Sequence, residues 1–210
     1  MIRILIADDH AVVRRGIREI LAGELAKTTF VEARNAREAL DYAHKQSWEV
    51  IILDISMPGR SGIDILSELR QLRPKSPVLV LSMHPEEQFA RRALRAGAAG
   101  YLTKDSVSEE LVTAVRKLLT GGRYVSTALA ERLAIELGKP DDKALHERLS
   151  DREFQILQLL ASGKTVSEIA QDLAVSIKTV STYRSRLLLK MAMKNNAELI
   201  GYAIRNHLVE

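Results

Sequence analysis

Five polar residues at the ends of four short, mainly apolar runs are the part of this sequence best suited to chemistry. Three are aspartates, and the others are a serine and a lysine. Three aspartates brought together repel one another, each pair by roughly 4 kcal/mol at about 4 Å and an effective dielectric constant near 20. One lysine leaves the set two charges negative, and a hard divalent cation such as Mg²⁺ balances that charge where phosphate chemistry follows. The five residues are Asp8, Asp9, Asp54, Ser82 and Lys104.

The apolar run before Asp54 predicts the element that positions this carboxylate. Val50–Leu53 is apolar throughout, which indicates a strand buried on both faces, since a half-exposed strand would alternate. Met57-Pro58-Gly59 ends the strand, because proline cannot donate to a ladder and glycine favours a turn. Asp54 is therefore predicted to face the crevice at the carboxyl end of a strand, where open parallel sheets bind ligands.

Strands alternate with helices over the first 123 residues, which predicts a doubly wound five-stranded parallel sheet. Each of the five polar residues then lies at the carboxyl end of a strand, so their side chains converge. A single aspartate at such a place is often a turn former or helix cap, but the whole set favours a site. The predicted strands are Ile2–Ala7, Thr29–Ala33, Val50–Leu53, Val78–Leu81 and Gly100–Thr103, and Asn35 and Ser106 are predicted helix caps.

These residues resemble the receiver domain of bacterial two-component response regulators, over residues 1–123. The resemblance implies a flavodoxin-like fold and phosphorylation of Asp54 by a partner histidine kinase. It also implies that Mg²⁺ is held by Asp8, Asp9, Asp54 and the Ser56 backbone carbonyl, while the phosphoryl group meets Lys104 and Ser82. Tyr101 stands where the family has its switch aromatic. Such a transfer requires mainly positioning and charge neutralisation.

The rest of the chain is predicted to be a linker and a small helical domain. Residues 124–147 contain one helix, Ser126–Leu137, and a break at 138–142. Four helices follow over residues 148–210, each with a start signal. Only Val175 separates the second of them from the third, which is the short connection of a helix-turn-helix.

The third of these helices has one apolar and one polar face. At 100° per residue, the apolar side is predicted to be core, and the opposite side is small, polar or basic, which suits a helix laid in a DNA major groove. Structural bundles also contain helix-turn-helix shapes, so the pattern alone leaves that alternative open. The predicted core residues are Ile177, Val180, Leu187, Leu188 and Met191.

Three segments of this region resemble the LuxR-type DNA-binding domain found behind receivers in the NarL/FixJ subfamily. They are Leu149–Glu153, Gly163–Ala170 and Ser176–Val180. The resemblance implies a regulator that binds double-stranded DNA and forms a homodimer on phosphorylation. It carries over Thr165, Lys178 and Thr179 as phosphate contacts, and Ser181, Thr182 and Ser185 as base-facing residues.

Bulk composition fits this interpretation without requiring it. The 210 residues include no cysteine, which excludes disulfides and cysteine nucleophiles, and the formal charge is +4. No apolar run approaches the ~20 residues of a membrane span, and no targeting segment is recognisable, so we expect a cytoplasmic protein without membrane contact.

Two other functions compete with a regulator controlled by phosphate. A Mg²⁺-dependent phosphohydrolase with Asp54 as nucleophile would need a general acid two residues later, where the chain has Ser56. A regulator that works by protein contacts alone would not need the acidic set. We therefore expect a non-enzymatic, phosphorylation-controlled transcription regulator.

Overall fold

A parallel sheet in the order β2-β1-β3-β4-β5 forms the first of two compact units of the computed structural model. This is the predicted doubly wound order, and the prediction of the fold class is confirmed. The strands are β1 (Ile2–Ala7), β2 (Thr28–Ala33), β3 (Val50–Asp54), β4 (Val78–Ser82) and β5 (Gly100–Thr103). The two units are Met1–Gly138 and Lys139–Glu210, and the structure describes residues 1–57, 62–83, 86–137, 144–206 and 208–209.

The central strands are apolar because both of their faces are covered. Every residue of β3 and of β4 is buried, as are the last four of β1. In the register, Ile6 lies opposite Ile52 and Asp54 lies opposite Leu81. Because Asp54 is the last residue of its strand, its backbone is fixed by the sheet while its side chain stands at the edge.

Helices on both sides of the sheet complete the first unit. Asn35 caps its helix as predicted, since its side chain accepts a hydrogen bond from the Glu38 N–H. The predicted Ser106 cap is wrong: its hydroxyl donates to the Thr103 carbonyl, because a 3-10 turn at Lys104–Ser106 precedes the helix. The helices are α1 (Ala11–Glu24), α2 (Ala36–Lys45), α3 (Gly62–Leu72), α4 (Glu86–Arg95), α5 (Val107–Leu119) and α6 (Thr127–Leu137).

After α5 the chain returns to the open edge of β5. Tyr124 forms an isolated parallel bridge with Gly100. The Tyr124 N–H donates to the Ala99 carbonyl, and the Tyr101 N–H donates to the Tyr124 carbonyl. A Cβ on Gly100 would lie 2.9 Å from the Tyr124 carbonyl oxygen, so this close approach requires a glycine.

The second unit contains four α-helices in its described part. Ser150 and Thr165 each begin a helix with a complete capping box, and Ser176 and Asn195 cap the other two, as predicted. Its core includes Val180, Leu187 and Met191 from the predicted face. The helices are α7 (Asp151–Ala161), α8 (Val166–Asp172), α9 (Ile177–Lys190) and α10 (Asn196–Arg205).

The prediction that Ile177 belongs to the core is wrong, because its exposed fraction is 56%. Ile177 is the first residue of α9. Side chains of a helix tilt toward its N-terminus, so this one extends beyond the turns that pack on the neighbouring helices.

Among the described helices, none has the length and apolar character needed to cross a membrane. The predicted break at 138–142 lies outside the described residues.

Candidate functional site

Four of the predicted site residues meet at the carboxyl edge of the sheet. Asp8 directly follows β1, Asp54 ends the neighbouring β3, and Lys104 directly follows β5. The Lys104 Nζ lies 2.7 Å from Asp8 Oδ2 and 2.7 Å from Asp54 Oδ2. One buried ammonium group therefore bridges two buried carboxylates, while the Asp9 side chain beside them is partly exposed.

Backbone amides hold the other oxygen of each buried carboxylate. The His10 N–H donates to Asp8 Oδ1 at 2.7 Å, and the Ser56 N–H donates to Asp54 Oδ1 at 2.7 Å. Both bonds are turns in which an aspartate accepts from the residue two positions later. Each buried carboxylate is thus held by Lys104 at one oxygen and by a backbone N–H at the other.

The donor set of this cluster fits a hard divalent cation. Single ligand atoms of Asp8, Asp9, His10 and Asp54 lie within 4.8 Å of one another. Three of the four are carboxylate oxygens, which are the ligands that Mg²⁺ prefers. The His10 ring is 65% exposed, with Nδ1 3.0 Å from Asp9 Oδ1, so it lies at the solvent side of the cluster.

Burial and hydrogen bonding pull the pKa values of the site in opposite directions. Burial raises the pKa of Asp54, although hydrogen bonds from Lys104 and the Ser56 N–H counteract part of that effect. Burial alone would lower the pKa of Lys104, but its hydrogen bonds to Asp54 and Asp8 outweigh burial and raise that pKa. Lys104 is therefore a permanent cation at neutral pH.

The remaining predicted residues of the first unit lie on β4, on β5 and just after β3. Ser82 is fully buried at the end of β4, opposite Thr103 of β5. Tyr101 is fully buried in β5, opposite Val80. The Ser56 hydroxyl is buried and has no hydrogen-bond partner in the described part of the chain.

A charged pair that was not predicted from the sequence lies next to the Asp8 backbone. Arg14 is buried on α1, where it shares the buried face with Ile17 and Leu21. Its Nη1 donates to the Asp8 backbone carbonyl at 2.8 Å, and its Nε donates to Glu32 Oε2 at 3.0 Å. The available signal was an arginine three residues before Ile17, on the apolar stripe of a predicted helix.

In the second unit, the predicted contacts to DNA phosphates fall on two helix starts. Thr165 is exposed, and its hydroxyl lies in the capping box of α8, 2.7 Å from Glu168 Oε2. Lys178 is exposed in the first turn of α9. The Thr179 hydroxyl lies 2.7 Å from that of Ser176, so it also takes part in the start of α9.

The outward face of α9 carries small hydroxyl groups. Thr182 donates to the Lys178 carbonyl and Ser185 donates to the Ser181 carbonyl, each four residues back along the helix. Thr182 and Ser185 are exposed, and Ser181 is half-buried. Because the hydroxyls of Thr182 and Ser185 donate to the helix backbone, their oxygens can still accept hydrogen bonds from a partner.

An ion pair between an exposed lysine and a buried glutamate, which the sequence did not reveal, fixes the end of α9. Lys190 Nζ lies 2.7 Å from Glu153 Oε2, and Glu153 is 2% exposed. The same glutamate completes the capping box of α7 with Ser150. Burial alone would raise the pKa of Glu153, but hydrogen bonds from Lys190 and Ser150 lower it below its ordinary value.

Comparisons with known families agree with this two-part organisation. Residues 4–116 match the family described as response regulator receiver domain. Residues 147–203 match the family described as bacterial regulatory proteins, luxR family.

Relatives of similar length match over the whole chain. The chain is 35% identical to response regulator GacA of Pseudomonas aeruginosa, covering 100% of this chain and 99% of GacA. It is 33% identical to response regulator UvrY of Escherichia coli, covering 99% and 96%. Among solved structures, RcsB from Salmonella enterica serovar Typhimurium, bound to promoter rprA in the presence of phosphomimetic BeF3-, has a TM-score of 0.64 at 29% identity, covering 96% of this chain and 98% of that one.

Proposed function

Because this chain belongs to the response regulators that join a receiver domain to a LuxR-family DNA-binding domain, we propose that phosphorylation of Asp54 controls its binding to DNA. The protein is a phosphorylation-controlled transcription regulator of a two-component system. The observation that carries the assignment of Asp54 is its position, fully buried at the end of β3 and 2.7 Å from the Lys104 ammonium.

The proposed reaction is transfer of a phosphoryl group from a phosphohistidine of a partner kinase. A carboxylate oxygen of Asp54 forms the new bond to phosphorus, and the bond from phosphorus to the imidazole nitrogen of the kinase breaks. Mg²⁺ would be held by Asp8, Asp9, Asp54 and the Ser56 carbonyl, and it supplies positive charge against the phosphoryl oxygens. That role agrees with the three converging carboxylates.

Lys104 and Ser82 are proposed to receive the phosphoryl group. The Lys104 ammonium already contacts two carboxylates, so it is close enough to pair with negative charge that is added to Asp54. Ser82 ends the neighbouring strand and offers a hydroxyl. A phosphoryl group adds about −1.5 to −2 of charge, which both groups can stabilise. Tyr101, in the next strand, is the proposed switch residue.

We propose the domain limits 1–123 for the receiver, 124–147 for the linker and 148–210 for the DNA-binding domain. Helix α9 is proposed to enter the major groove, with Ser181, Thr182 and Ser185 toward the bases. The phosphate contacts are proposed to be Thr165, Lys178 and Thr179. The exposed Lys178 and the small hydroxyl face support this docking.

A homodimer that forms on phosphorylation would present two copies of α9 to the DNA. Two copies fit half-sites about 10–10.5 bp apart, one helical turn of DNA. RcsB, which covers nearly this whole length, was solved on promoter DNA in the presence of a phosphomimetic, which supports the same coupling here.

The corresponding location is the cytoplasm, where the kinase and the DNA meet. Ser56 in place of a second carboxylate argues against phosphohydrolase activity.

The acceptor is tested by intact-mass analysis after treatment with a small phosphodonor. We expect one phosphoryl group on the parent protein, only with Mg²⁺, and none on Asp54→Ala. Asp64→Ala is the matched control, because Asp64 is an exposed aspartate in the first turn of α3. Full modification of Asp54→Ala would refute the assignment.

The link to DNA is tested with phosphorylated protein and sites selected from a random pool. We expect tight binding to a paired site and much weaker binding to an isolated half-site. Equal affinity for the two would refute the dimer mechanism while leaving DNA binding itself intact. Turnover of small phosphoesters in steady state would instead support an enzyme.

A further inference from the structure

Arg14 connects the acidic cluster to the far side of β1. It lies on α1, six residues after Asp8, and its guanidinium reaches back to the backbone of the Asp8-Asp9 turn. Its second partner, Glu32, is on β2, opposite Ile6 of β1. The Arg14 side chain thus forms hydrogen bonds both to the backbone just after β1 and to a side chain of the neighbouring β2.

We propose that Arg14 is a positioning residue that holds the Asp8-Asp9 turn in the conformation that binds a divalent cation. This inference rests on the proposed function, since it concerns the same cluster. Among the described residues, Arg14 donates to Glu32 and to the Asp8 carbonyl, which its Nη1 approaches at 2.8 Å, so it acts on the cluster through that carbonyl.

The turn is fixed at every polar atom of Asp8. The Asp8 N–H donates to the Ala33 carbonyl, and the carboxylate is held by the His10 N–H and by Lys104. Arg14 is the partner of the remaining atom, the backbone carbonyl. If that bond is lost, the peptide between Asp8 and Asp9 gains rotational freedom, and both carboxylates move with it.

Charge alone does not explain a buried arginine here. A cation beside three carboxylates opposes the binding of another cation, so a purely electrostatic role would make the site worse. Glu32 neutralises much of that charge through its ion pair with Arg14. The further contribution of Arg14 is geometric. Its planar guanidinium donates in fixed directions to two acceptors on different elements, which a lysine ammonium does not reproduce.

Glu32 also provides a matched control. Arg18, one turn further along α1, pairs with the other oxygen of Glu32 at 3.3 Å. The Arg18 side chain is 46% exposed, and among the described residues its hydrogen bond goes to Glu32. Arg14→Ala and Arg18→Ala therefore remove the same charge from the same carboxylate, but only the first removes a bond to the aspartate turn.

The experiment measures the dissociation constants of Mg²⁺ and Mn²⁺ for the full chain by calorimetry and by paramagnetic resonance of free Mn²⁺. Loss of a group that orients a metal ligand typically weakens affinity 10–100-fold. We expect about tenfold weaker binding in Arg14→Ala and a change under twofold in Arg18→Ala. A purely electrostatic role predicts the opposite sign, because Arg14→Ala would then bind Mg²⁺ more tightly. Unchanged or tighter binding in Arg14→Ala overturns the proposal.

A spectroscopic signature separates positioning from general destabilisation. The His10 amide proton, which donates to Asp8 Oδ1, should shift in metal-free Arg14→Ala and stay unchanged in Arg18→Ala. Guanidinium ion added at millimolar concentration should partly restore Mg²⁺ affinity in Arg14→Ala. If Arg14→Ala fails to fold, Arg14→Lys keeps the charge and is decisive: it should bind Mg²⁺ more weakly than the parent, and parental affinity overturns the proposal.

Failure of the proposed function would look different. In that case the parent itself would bind neither Mg²⁺ nor beryllofluoride at Asp54, and the comparison among Arg14 and Arg18 variants would have no signal. A parent that binds both, with an Arg14→Ala variant that matches it, refutes only the positioning role.

Discussion

Replacement of Lys104 by methionine should make the stability of the first unit depend on Mg²⁺. Methionine keeps an unbranched side chain at this buried place but removes the ammonium that lies 2.7 Å from both Asp8 Oδ2 and Asp54 Oδ2. The charge of the cluster then changes from −2 to −3. Removal of one partner from a buried ion pair costs about 3–5 kcal/mol, because the remaining charge is left uncompensated. We expect a loss of that size in the free energy of unfolding without metal.

A bound cation should restore part of this loss. Ligand binding stabilises a folded protein by RT ln(1 + [L]/Kd), which is about 2.7 kcal/mol at 100 times the Kd. The variant lacks the competing ammonium, so its Kd for Mg²⁺ should fall. A tenfold lower Kd narrows the gap between variant and parent by about 1.4 kcal/mol at saturating Mg²⁺.

The assay is urea unfolding followed by tryptophan fluorescence, in chelator and in saturating Mg²⁺. Trp48 is the single tryptophan of the chain and is buried in the first unit, so it reports on that unit alone. Lys75→Met, which removes an exposed lysine of the same unit, serves as the control. If Lys104→Met loses no more stability than Lys75→Met, or if Mg²⁺ stabilises it no more than the parent, the charge argument for this cluster is wrong.

Three further predictions concern the second unit. Glu153→Gln should lower the free energy of unfolding by about 1–3 kcal/mol at pH 7, more than the exposed Glu168→Gln does. Because the pKa of Glu153 is lowered in the folded state, its stabilising contribution is present above pH ~4.3 and is lost as the pH falls through that lowered pKa. The variant should therefore lose less stability than the parent on acidification, as measured by urea unfolding followed by circular dichroism. Ala192→Gly should raise the melting temperature, by an amount equivalent to about 1 kcal/mol, because Ala192 has a left-handed φ of +54°; an unchanged or lower melting temperature would contradict this. In DNA titrations at several salt concentrations, Lys178→Ala should weaken binding to all sequences and reduce the salt slope by about 1, whereas Thr182→Ala should alter sequence preference and keep the slope; the reverse pattern would exchange their proposed roles.

The sheet was predictable because its strands carry an unmistakable pattern. Val50–Leu53 and Val78–Leu81 are apolar throughout, and both strands proved longer than predicted by one polar residue, Asp54 and Ser82. Hydrophobicity alone does not mark a strand's last residue when that residue is a site residue. The convergence of Asp8, Asp54 and Lys104 follows from parallel strands ending at one edge, so it needed no coordinates.

Features that depend on packing were not predictable. Arg14 was missed because its burial depends on Glu32 and the Asp8 carbonyl, which lie on other elements. The Ser106 cap failed because a 3-10 turn at Lys104–Ser106 gives Ser106 a helical backbone, and its hydroxyl donates back to the Thr103 carbonyl. Ile177 failed because periodicity gives a direction around the helix axis and says nothing about where the neighbouring helices stop.

The bridge between Tyr124 and β5 has a mechanical consequence. Two backbone hydrogen bonds, from the Tyr124 N–H and to its carbonyl, fasten the chain that leaves α5 onto the strand that holds Tyr101. Tension applied along the polypeptide from α6 would therefore load these bonds in shear before it reached any other strand. The contact leaves no room for a side chain at Gly100, so the backbones of Gly100 and Tyr124 approach each other closely. Displacement of Tyr101 would therefore pull on the segment between α5 and α6, and tension on that segment would in turn act on Tyr101.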